Sequence, residues 1–191
     1  WGVTATHGQR MRFDEANAAG GIRFNGVQHA IVVGNFIGVD IKGHRYWHGA
    51  QAAAQAGLTN AAFLRARIEF IESHLAPGEA HEIWLPFPDP QPRDERGTKR
   101  LTGAPFLERY RRLLGPGGIV HVKTDSRFLH EQTRLSAAAS GVQITHEIAD
   151  LYADPVATCQ PLLREWLAIR TRYEERWLRR GSTISYLQLK L

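Results

Sequence analysis

Short strand-like segments alternate with helix-like segments from Asn35 to the end of this chain, and this alternation restricts the fold more than any other feature. The strand-like segments are apolar runs, whereas the helix-like segments are amphipathic or alanine-rich and several are followed by glycine or proline. Such alternation with short connections predicts a mostly parallel sheet that is covered on both faces. The final segment alternates strictly and follows a helix, which predicts an added antiparallel strand. The fold class is therefore α/β.

The boundaries of these elements follow from the apolar pattern and the turn residues. The predicted strands are Asn35–Asp40, Ala61–Leu64, Glu82–Phe87, Ile119–Thr124, Val142–Ile148 and Thr183–Leu191. The predicted helices are Tyr46–Gly57, Ile68–Leu75, Pro105–Leu114, Phe128–Ala139 and a long helical stretch from about Leu162 to Arg180. Residues 1–34 show no clear period and are rich in glycine. We therefore predict a single domain, in which residues 1–34 are an atypical N-terminal segment and residues 35–191 form the domain proper.

Composition sets the cellular context that we expect. The chain of 191 residues has the length of a single domain. Its one cysteine, Cys159, allows no internal disulfide, which suits a reducing compartment. No apolar run approaches the roughly 20 residues of a membrane span, and residues 1–30 lack the apolar segment of a signal peptide. We expect a cytoplasmic protein that does not associate with a membrane.

The distribution of charge indicates an anionic partner. The net charge is +5, and residues 93–112 carry seven basic against three acidic residues. Residues 164–180 carry six against three. Either segment alone is equally well explained as a solvated helix face, whereas two of them beside one site favour nucleic acid.

Aspartates follow three of the predicted strands. Asp40 closes the strand NFIGVD, Asp89 stands between two prolines after Glu82–Phe87, and Asp125 follows Ile119–Thr124. Because ligands of parallel sheets bind in the crevice outside the carboxyl ends of the strands, we expect these carboxylates at one site. The alternative for each is a local role, as the cap of a helix or of a turn.

Polar residues near these strand ends could contact a nucleic acid. Arg93, Lys99 and Arg100 follow the proline-rich loop and could neutralise phosphates without reading sequence. The run Thr171-Arg172-Tyr173-Glu174 has the T-x-x-E pattern of a helix capping box. Its alternative role is to present donors and acceptors to a base.

Metal or nucleophilic chemistry has little support. His44 and His48 have a spacing that can chelate a metal, but no third ligand stands near them in the sequence. Cys159 has no histidine or cation beside it to activate the thiol. We predict no metal and no cysteine nucleophile.

A series of characteristic segments extends over roughly four fifths of the chain, from about Asn35 to Leu191: NFIGVDIKG, GLTNAAFLRARIEFIE, EIWLPFPDPQPR, KRLT, LGPGGIVHVKTDSRFL and IRTRYEERW followed by TISYLQLKL. In order and spacing, these segments resemble those of the bacterial tRNA (guanine-N7-)-methyltransferases. The resemblance implies a class I methyltransferase fold, S-adenosylmethionine as cofactor, and transfer of its methyl group to N7 of a guanine in tRNA. It leaves open whether the protein is a monomer or a homodimer.

The resemblance also implies roles for individual residues. Asp40 would hold the cofactor ribose, and Asp89 would lie at the cofactor methyl and the target guanine. The implied substrate contacts are Arg93, Asp125, Thr171, Arg172, Tyr173 and Glu174, and the basic residues Lys99 and Arg100 would contact RNA.

The sequence departs from the family in two places. The family's E-x-G-x-G loop is not recognisable in residues 13–21, where Glu15 stands at the expected distance but the turn glycines are missing. Ala66 stands where the family commonly has a polar or acidic residue that can contact adenine. The alternative to an enzyme is therefore a non-catalytic tRNA-binding remnant with a defective cofactor pocket. A nicotinamide-linked dehydrogenase is disfavoured because the chain has no G-x-G-x-x-G motif.

Overall fold

The computed structural model of this chain describes residues 2–5, 35–153 and 161–191. The strands are β1 (Gly2–Ala5), β2 (Asn35–Val39), β3 (Ala61–Leu64), β4 (Glu82–Pro86), β5 (Ile119–Thr124), β6 (Gln143–Ile148) and β7 (Ser185–Lys190). The α-helices are α1 (Gly43–Gln55), α2 (Ala104–Leu114), α3 (Arg127–Ala139), α4 (Pro161–Leu167) and α5 (Arg172–Arg179). Two 3₁₀ helices span Ile68–Ser73 and Asp94–Lys99.

The strands form one seven-stranded sheet in the order β3-β2-β1-β4-β5-β7-β6. The pairs β2–β3 and β4–β5 are parallel, and β7 is antiparallel to both β5 and β6. Because β1 is antiparallel to both β2 and β4, these two strands run parallel to each other. Five strands, β2 to β6, therefore point in one direction. The predicted α/β class and the predicted antiparallel terminal strand are confirmed.

The first strand departs from this arrangement because β1 runs antiparallel to both of its neighbours. Gly2 lies opposite Gly38 and Trp84, and Ala5 lies opposite Asn35 at the beginning of β2. The chain consequently leaves β1 at the edge of the sheet where β2 and β4 begin, and not at the edge where they end.

The hydrophobic core lies on both faces of the sheet. Ile83, Leu85, Val120 and Val122 pack with the buried side of α2 on one face. The alternate residues of the strands turn to the other face, where Tyr186 packs with a second cluster formed by Ile148, Leu151, Leu163, Leu167 and Ile184. This alternation follows from the two-residue period of a strand, and it places His121 and Lys123 of β5 on the second face.

The turn between α2 and β5 requires glycine. Gly117 has a φ of +76°, in the region that favours glycine. A Cβ at Gly118 would lie 2.2 Å from the Cβ of Leu114. The close approach of the helix end to β5 therefore depends on the missing side chain.

Two of the predicted helices were wrong in kind or extent. The stretch from Leu162 to Arg180 is two helices, α4 and α5, because the hydroxyl of Thr171 caps a new helix and interrupts the first. Residues 68–73 form a 3₁₀ helix, in which the amides of Phe70 and His74 donate to carbonyls three residues earlier. The short space before Pro77 suits this tighter helix. The remaining boundaries shift by three residues or fewer.

Candidate active site at the carboxyl edge of the sheet

The carboxyl ends of β2, β4 and β5 meet at one edge of the sheet. Asp40 follows β2 directly, Phe87 leads from β4 to Asp89, and Asp125 follows β5. Their side chains thus arise from neighbouring parts of one edge, as the parallel direction of these strands requires. Their roles in binding and catalysis remain predictions.

Asp40 is half-buried and held in a fixed turn. Its Oδ1 accepts a hydrogen bond of 2.8 Å from the backbone amide of Lys42. The amide of Asp40 donates to the carbonyl of Leu64, which ties the end of β2 to the end of β3. A carboxylate held in this way is oriented before any ligand binds, which limits the entropy lost in binding.

The loop that carries Asp89 is constrained at both ends. The amide of Phe87 donates to the carbonyl of Lys123 at 2.7 Å, and Pro88 is buried. Phe87 and Gln91 have φ angles of +52° and +44°, which residues other than glycine seldom adopt. Such conformations persist where surrounding contacts enforce them, and they cluster at functional sites. Asp89 itself is exposed, and its Oδ1 accepts a bond of 3.1 Å from the amide of Gln91.

Arg100 fastens this loop to α3. Its Nε donates to the carbonyl of Gln91 at 3.0 Å, and a terminal nitrogen donates to Oε1 of Gln132 at 3.2 Å. Its guanidinium also lies 5.1 Å from the ring centre of Phe128. The predicted contact of Arg100 with RNA therefore stays a prediction, and the contacts in the structure are to the protein.

Asp125 does not cap the helix that follows it. The hydroxyl of Ser126 accepts from the amide of Leu129, and the hydroxyl of Thr124 accepts from the amide of Ser126. These two hydroxyls cap the turn and the helix, which was the alternative role considered for Asp125. The side chain of Asp125 is half-buried at the carboxyl edge of the sheet.

The T-x-x-E run forms the capping box that its pattern predicts. The Thr171 hydroxyl accepts from the amide of Glu174, and Oε2 of Glu174 accepts from the amide of Thr171 at 3.2 Å. Glu174 is fully buried, and its Oε1 pairs with Nζ of Lys123 at 2.6 Å and accepts from the hydroxyl of Tyr152. Glu174 could contact a substrate directly only if some of these hydrogen bonds opened. The neighbouring Tyr173 is about half exposed, so it could contact a substrate without such a change.

Lys123 and Tyr152 were not identified as site residues from the sequence. The signal that could have found Lys123 is a cation within the inward-facing pattern of IVHVKT. Burial lowers the pKa of Lys123, while the charge of Glu174 opposes this shift. Burial and then Glu174 raise the pKa of the Tyr152 phenol.

The basic residues of segment 93–112 divide into two groups. Arg93, Arg96 and Lys99 are exposed on the 3₁₀ helix after the Asp89 loop or at its start. Arg109 and Arg112 form ion pairs with Glu72 at 2.8 Å and join α2 to the 3₁₀ helix Ile68–Ser73, and Arg111 pairs with Glu108 within α2. The exposed group therefore lies beside Asp89, and its contact with phosphates remains a prediction.

Some predictions fall on parts that the structure does not describe. Glu15 and Cys159 lie outside the described residues, and so do the side chains of His44 within α1 and of Arg172 within α5. Among the residues that are described, no group of three metal-ligating side chains occurs. In the same part of the chain, no helix combines the length and the apolarity needed to cross a membrane.

The described residues fit S-adenosylmethionine in one respect and depart from it in another. Asp40 stands where ribose hydroxyls are bound in nucleotide-binding sheets, and Leu64 and Ala66 offer half-buried apolar surface nearby. The alanine leaves the adenine with no polar side-chain partner at that position. The reversed direction of β1 departs from the strand, turn and helix unit that such sheets use for the other half of the ligand.

Comparison with known proteins decides the family. A family model described as "Putative methyltransferase" matches residues 33–187. A tRNA (guanine-N7-)-methyltransferase of Christiangramia forsetii is 42% identical over 157 residues, which are 82% of this chain and 68% of that protein. The chain belongs to the tRNA (guanine-N7-)-methyltransferase family. A Bacteroides thetaiotaomicron relative of the same name is 46% identical, and the chain spans 59% of its length.

Solved structures agree on the fold. A SAM-dependent methyltransferase from Aquifex aeolicus aligns with a TM-score of 0.52 at 10% identity, covering 82% of this chain and 69% of that one. A methyltransferase homologue from Pyrococcus horikoshii aligns with a TM-score of 0.50 at 16% identity, covering 83% and 53%. At these identities the likeness shows the Rossmann-like methyltransferase fold alone.

Proposed function

We propose that this chain transfers a methyl group from S-adenosylmethionine to N7 of a guanine in tRNA. The observation that carries the proposal is the constrained loop after β4, which holds Asp89 at the edge shared with Asp40 and Asp125. Exposed Arg93 and Lys99 lie beside this loop. The similarity to relatives that bear the name tRNA (guanine-N7-)-methyltransferase supports the choice of substrate.

The chemistry needs positioning more than proton transfer. S-adenosylmethionine, when bound, supplies an electrophilic methyl group on a sulfonium. Guanine N7 has a lone pair and no proton, so the protein need not provide a strong general base. Its main task is to hold N7 in line with the methyl group. Asp89 would stabilise the positive charge that passes from the sulfonium to the guanine as the N7–carbon bond forms and the sulfur–carbon bond breaks, which leaves the neutral thioether S-adenosylhomocysteine.

The other edge residues would bind and orient. Asp40 would accept hydrogen bonds from the cofactor ribose. Asp125, Thr171, Arg172 and Tyr173 would contact the guanine and its nucleotide. Arg93 and Lys99 would neutralise phosphates, which gives affinity without sequence preference. We propose that the protein does this in the cytoplasm, as a monomer or a homodimer and without a metal.

The proposal is tested by incubating the chain with S-adenosylmethionine and unmodified tRNA, followed by mass spectrometry of the nucleosides. We expect N7-methylguanosine. The variant Asp89→Asn should form it about 100- to 1,000-fold more slowly, which is the range for removing a group that stabilises transition-state charge. Glu108→Gln, which alters an exposed carboxylate of α2, serves as the control.

The opposite result is equally informative. A folded chain that binds tRNA but yields no N7-methylguanosine, beside an active relative, would refute the enzymatic proposal and favour the tRNA-binding remnant. Equilibrium dialysis with labelled S-adenosylmethionine would then show whether the cofactor pocket is the missing part.

A further inference from the structure

The most deeply buried charges at this edge form an ion pair that the proposed chemistry does not use. Glu174 is completely buried, and the side chain of Lys123 is 7% exposed. The two charged atoms are 2.6 Å apart. Because burying two charges costs solvation, such pairs often add little to stability over apolar residues of the same size. A role in fixing local geometry is a better explanation for its presence.

Lys123 makes three connections from a single side chain. Besides Glu174, its Nζ donates to the carbonyl of Leu167 at 3.0 Å and to the carbonyl of Ile169 at 3.2 Å. These carbonyls stand at the end of α4 and in the link to α5. A cation there satisfies carbonyl groups that a helix end leaves without partners and complements the helix dipole.

The backbone of the same lysine holds the other side of the site. Its carbonyl accepts the 2.7 Å bond from the amide of Phe87, where the Asp89 loop begins. Lys123 also stands two residues before Asp125. One residue therefore connects the Asp89 loop, the end of β5 and the segment from Thr171 to Glu174.

Glu174 is fully engaged on its side of the pair. Oε2 closes the capping box with the amide of Thr171, and Oε1 pairs with Lys123 and accepts from the Tyr152 hydroxyl. The guanidinium of Arg170 lies 4.5 Å from the ring centre of Tyr152. The Glu174 carboxylate is thus fully buried, and both of its oxygens have partners within the protein.

We propose that Lys123 and Glu174 are positioning residues whose ion pair, the anchor, fixes the start of α5 beside Asp125. Glu174 then contributes to substrate binding by holding this segment in place, and it does not contact the base. The inference rests on the proposed function, because its readout is methylation of tRNA. Glu174, which was predicted to contact the substrate, becomes a positioning residue, and Lys123 and Tyr152 are added to the site.

A double-mutant cycle tests the anchor. The variants are Lys123→Met, Glu174→Gln and the pair together, with Lys190→Met, an exposed lysine of β7, as the matched control. Each is assayed for kcat/KM with tRNA and, separately, for the Kd of S-adenosylmethionine. We expect each single change and the double change to lower kcat/KM to a similar extent, about 10- to 100-fold, as displacement of a substrate-positioning segment does. The Kd for the cofactor should change by less than about threefold, since Asp40 is not part of this network.

Two outcomes would overturn the anchor. One is a double variant whose loss equals the product of the two single losses, which indicates independent roles and a direct contact by Glu174. The other is a folded Lys123→Met variant with unchanged kcat/KM. Absence of product from the unmodified chain would instead refute the proposed function, so the two failures are distinguishable.

The variant Tyr152→Phe keeps the test decisive if either single variant fails to fold, because it removes one hydroxyl and leaves the ion pair. The anchor predicts a loss in kcat/KM of about fivefold, in line with one weakened hydrogen bond. If Glu174 had to leave its pocket to reach the base, loosening it would raise kcat/KM or leave it unchanged. That result would overturn the proposal.

Discussion

Replacing Arg100 with methionine tests whether this arginine fastens the Asp89 loop or contacts RNA. Methionine keeps much of the side-chain volume but removes the donors to Gln91 and Gln132. Two such bonds, at about 1.5 kcal/mol each, are worth about 3 kcal/mol, a figure taken from the low end of the range because the group is only partly buried. The contact with the ring of Phe128 adds about 0.5–1 kcal/mol. We expect the free energy of unfolding to fall by about 3.5–4 kcal/mol, the sum of these contributions.

The neighbouring Lys99 is the matched control because it is exposed. Unfolding in urea measures stability, and tRNA binding over a series of salt concentrations measures phosphate contacts. Lys99→Met should leave stability unchanged and reduce the slope of log K against log salt by about 1. Arg100→Met should do the reverse, with lower stability and an unchanged slope.

An exchange of these two effects between the variants would contradict the role of Arg100 in holding the Asp89 loop. A loss of less than about 0.5 kcal/mol for Arg100→Met, which is typical of surface changes, would show that its contacts do not hold the loop. A smaller salt slope for the same variant would place its guanidinium on a phosphate.

Single substitutions at Asp40, His121 and Gly118 test the cofactor site, a buried histidine and a tight turn. Asp40→Ala should weaken binding of S-adenosylmethionine about 10- to 150-fold, the effect of losing one charged hydrogen bond, as measured by equilibrium dialysis; an unchanged Kd would remove Asp40 from the cofactor site. Burial lowers the pKa of His121, against the pull of Glu82, so the unfolded chain binds this proton more tightly than the folded one. This part of the stability should therefore be fully present above the unfolded pKa of about 6.5 and be lost as the pH falls below it. His121→Gln should flatten this dependence below about pH 6.5 in urea titrations, whereas a slope equal to that of the unmodified chain would exclude His121 as its source. Gly118→Ala should lower the melting temperature through a cost of about 1–3 kcal/mol, because the new Cβ meets that of Leu114; no change would mean that the helix end can move aside.

The sequence predicted most of the sheet because its signals are local. The strands β2 to β7 lie where apolar runs end at turn residues, and the capping box at Thr171 follows from its own four residues. Helix continuity was harder to predict. The stretch from 162 to 180 is helical in pattern throughout, but the Thr171 cap begins a second helix within it. At this break, Lys123, more than forty residues away, donates to the carbonyls of Leu167 and Ile169.

The sequence also did not show which charged residues are exposed and which contact other parts of the protein. Arg93, Lys99 and Arg100 are alike in the sequence, yet the first two are exposed and the third turns back onto the Asp89 loop. Burial and partners depend on which elements pack together, and these contacts join residues that are distant along the chain.

The sequence by itself determined the fold class, the antiparallel last strand and the family, because apolar periodicity and motif spacing can be read along the chain without knowing any tertiary contact. Only the tertiary structure decided that β1 runs against its neighbours, that Glu174 faces Lys123, and that one lysine links the Asp89 loop to α5. The physical reason is that strand direction and the pairing of buried charges are settled between segments far apart in sequence, where the solvation lost on burial must be balanced by a partner.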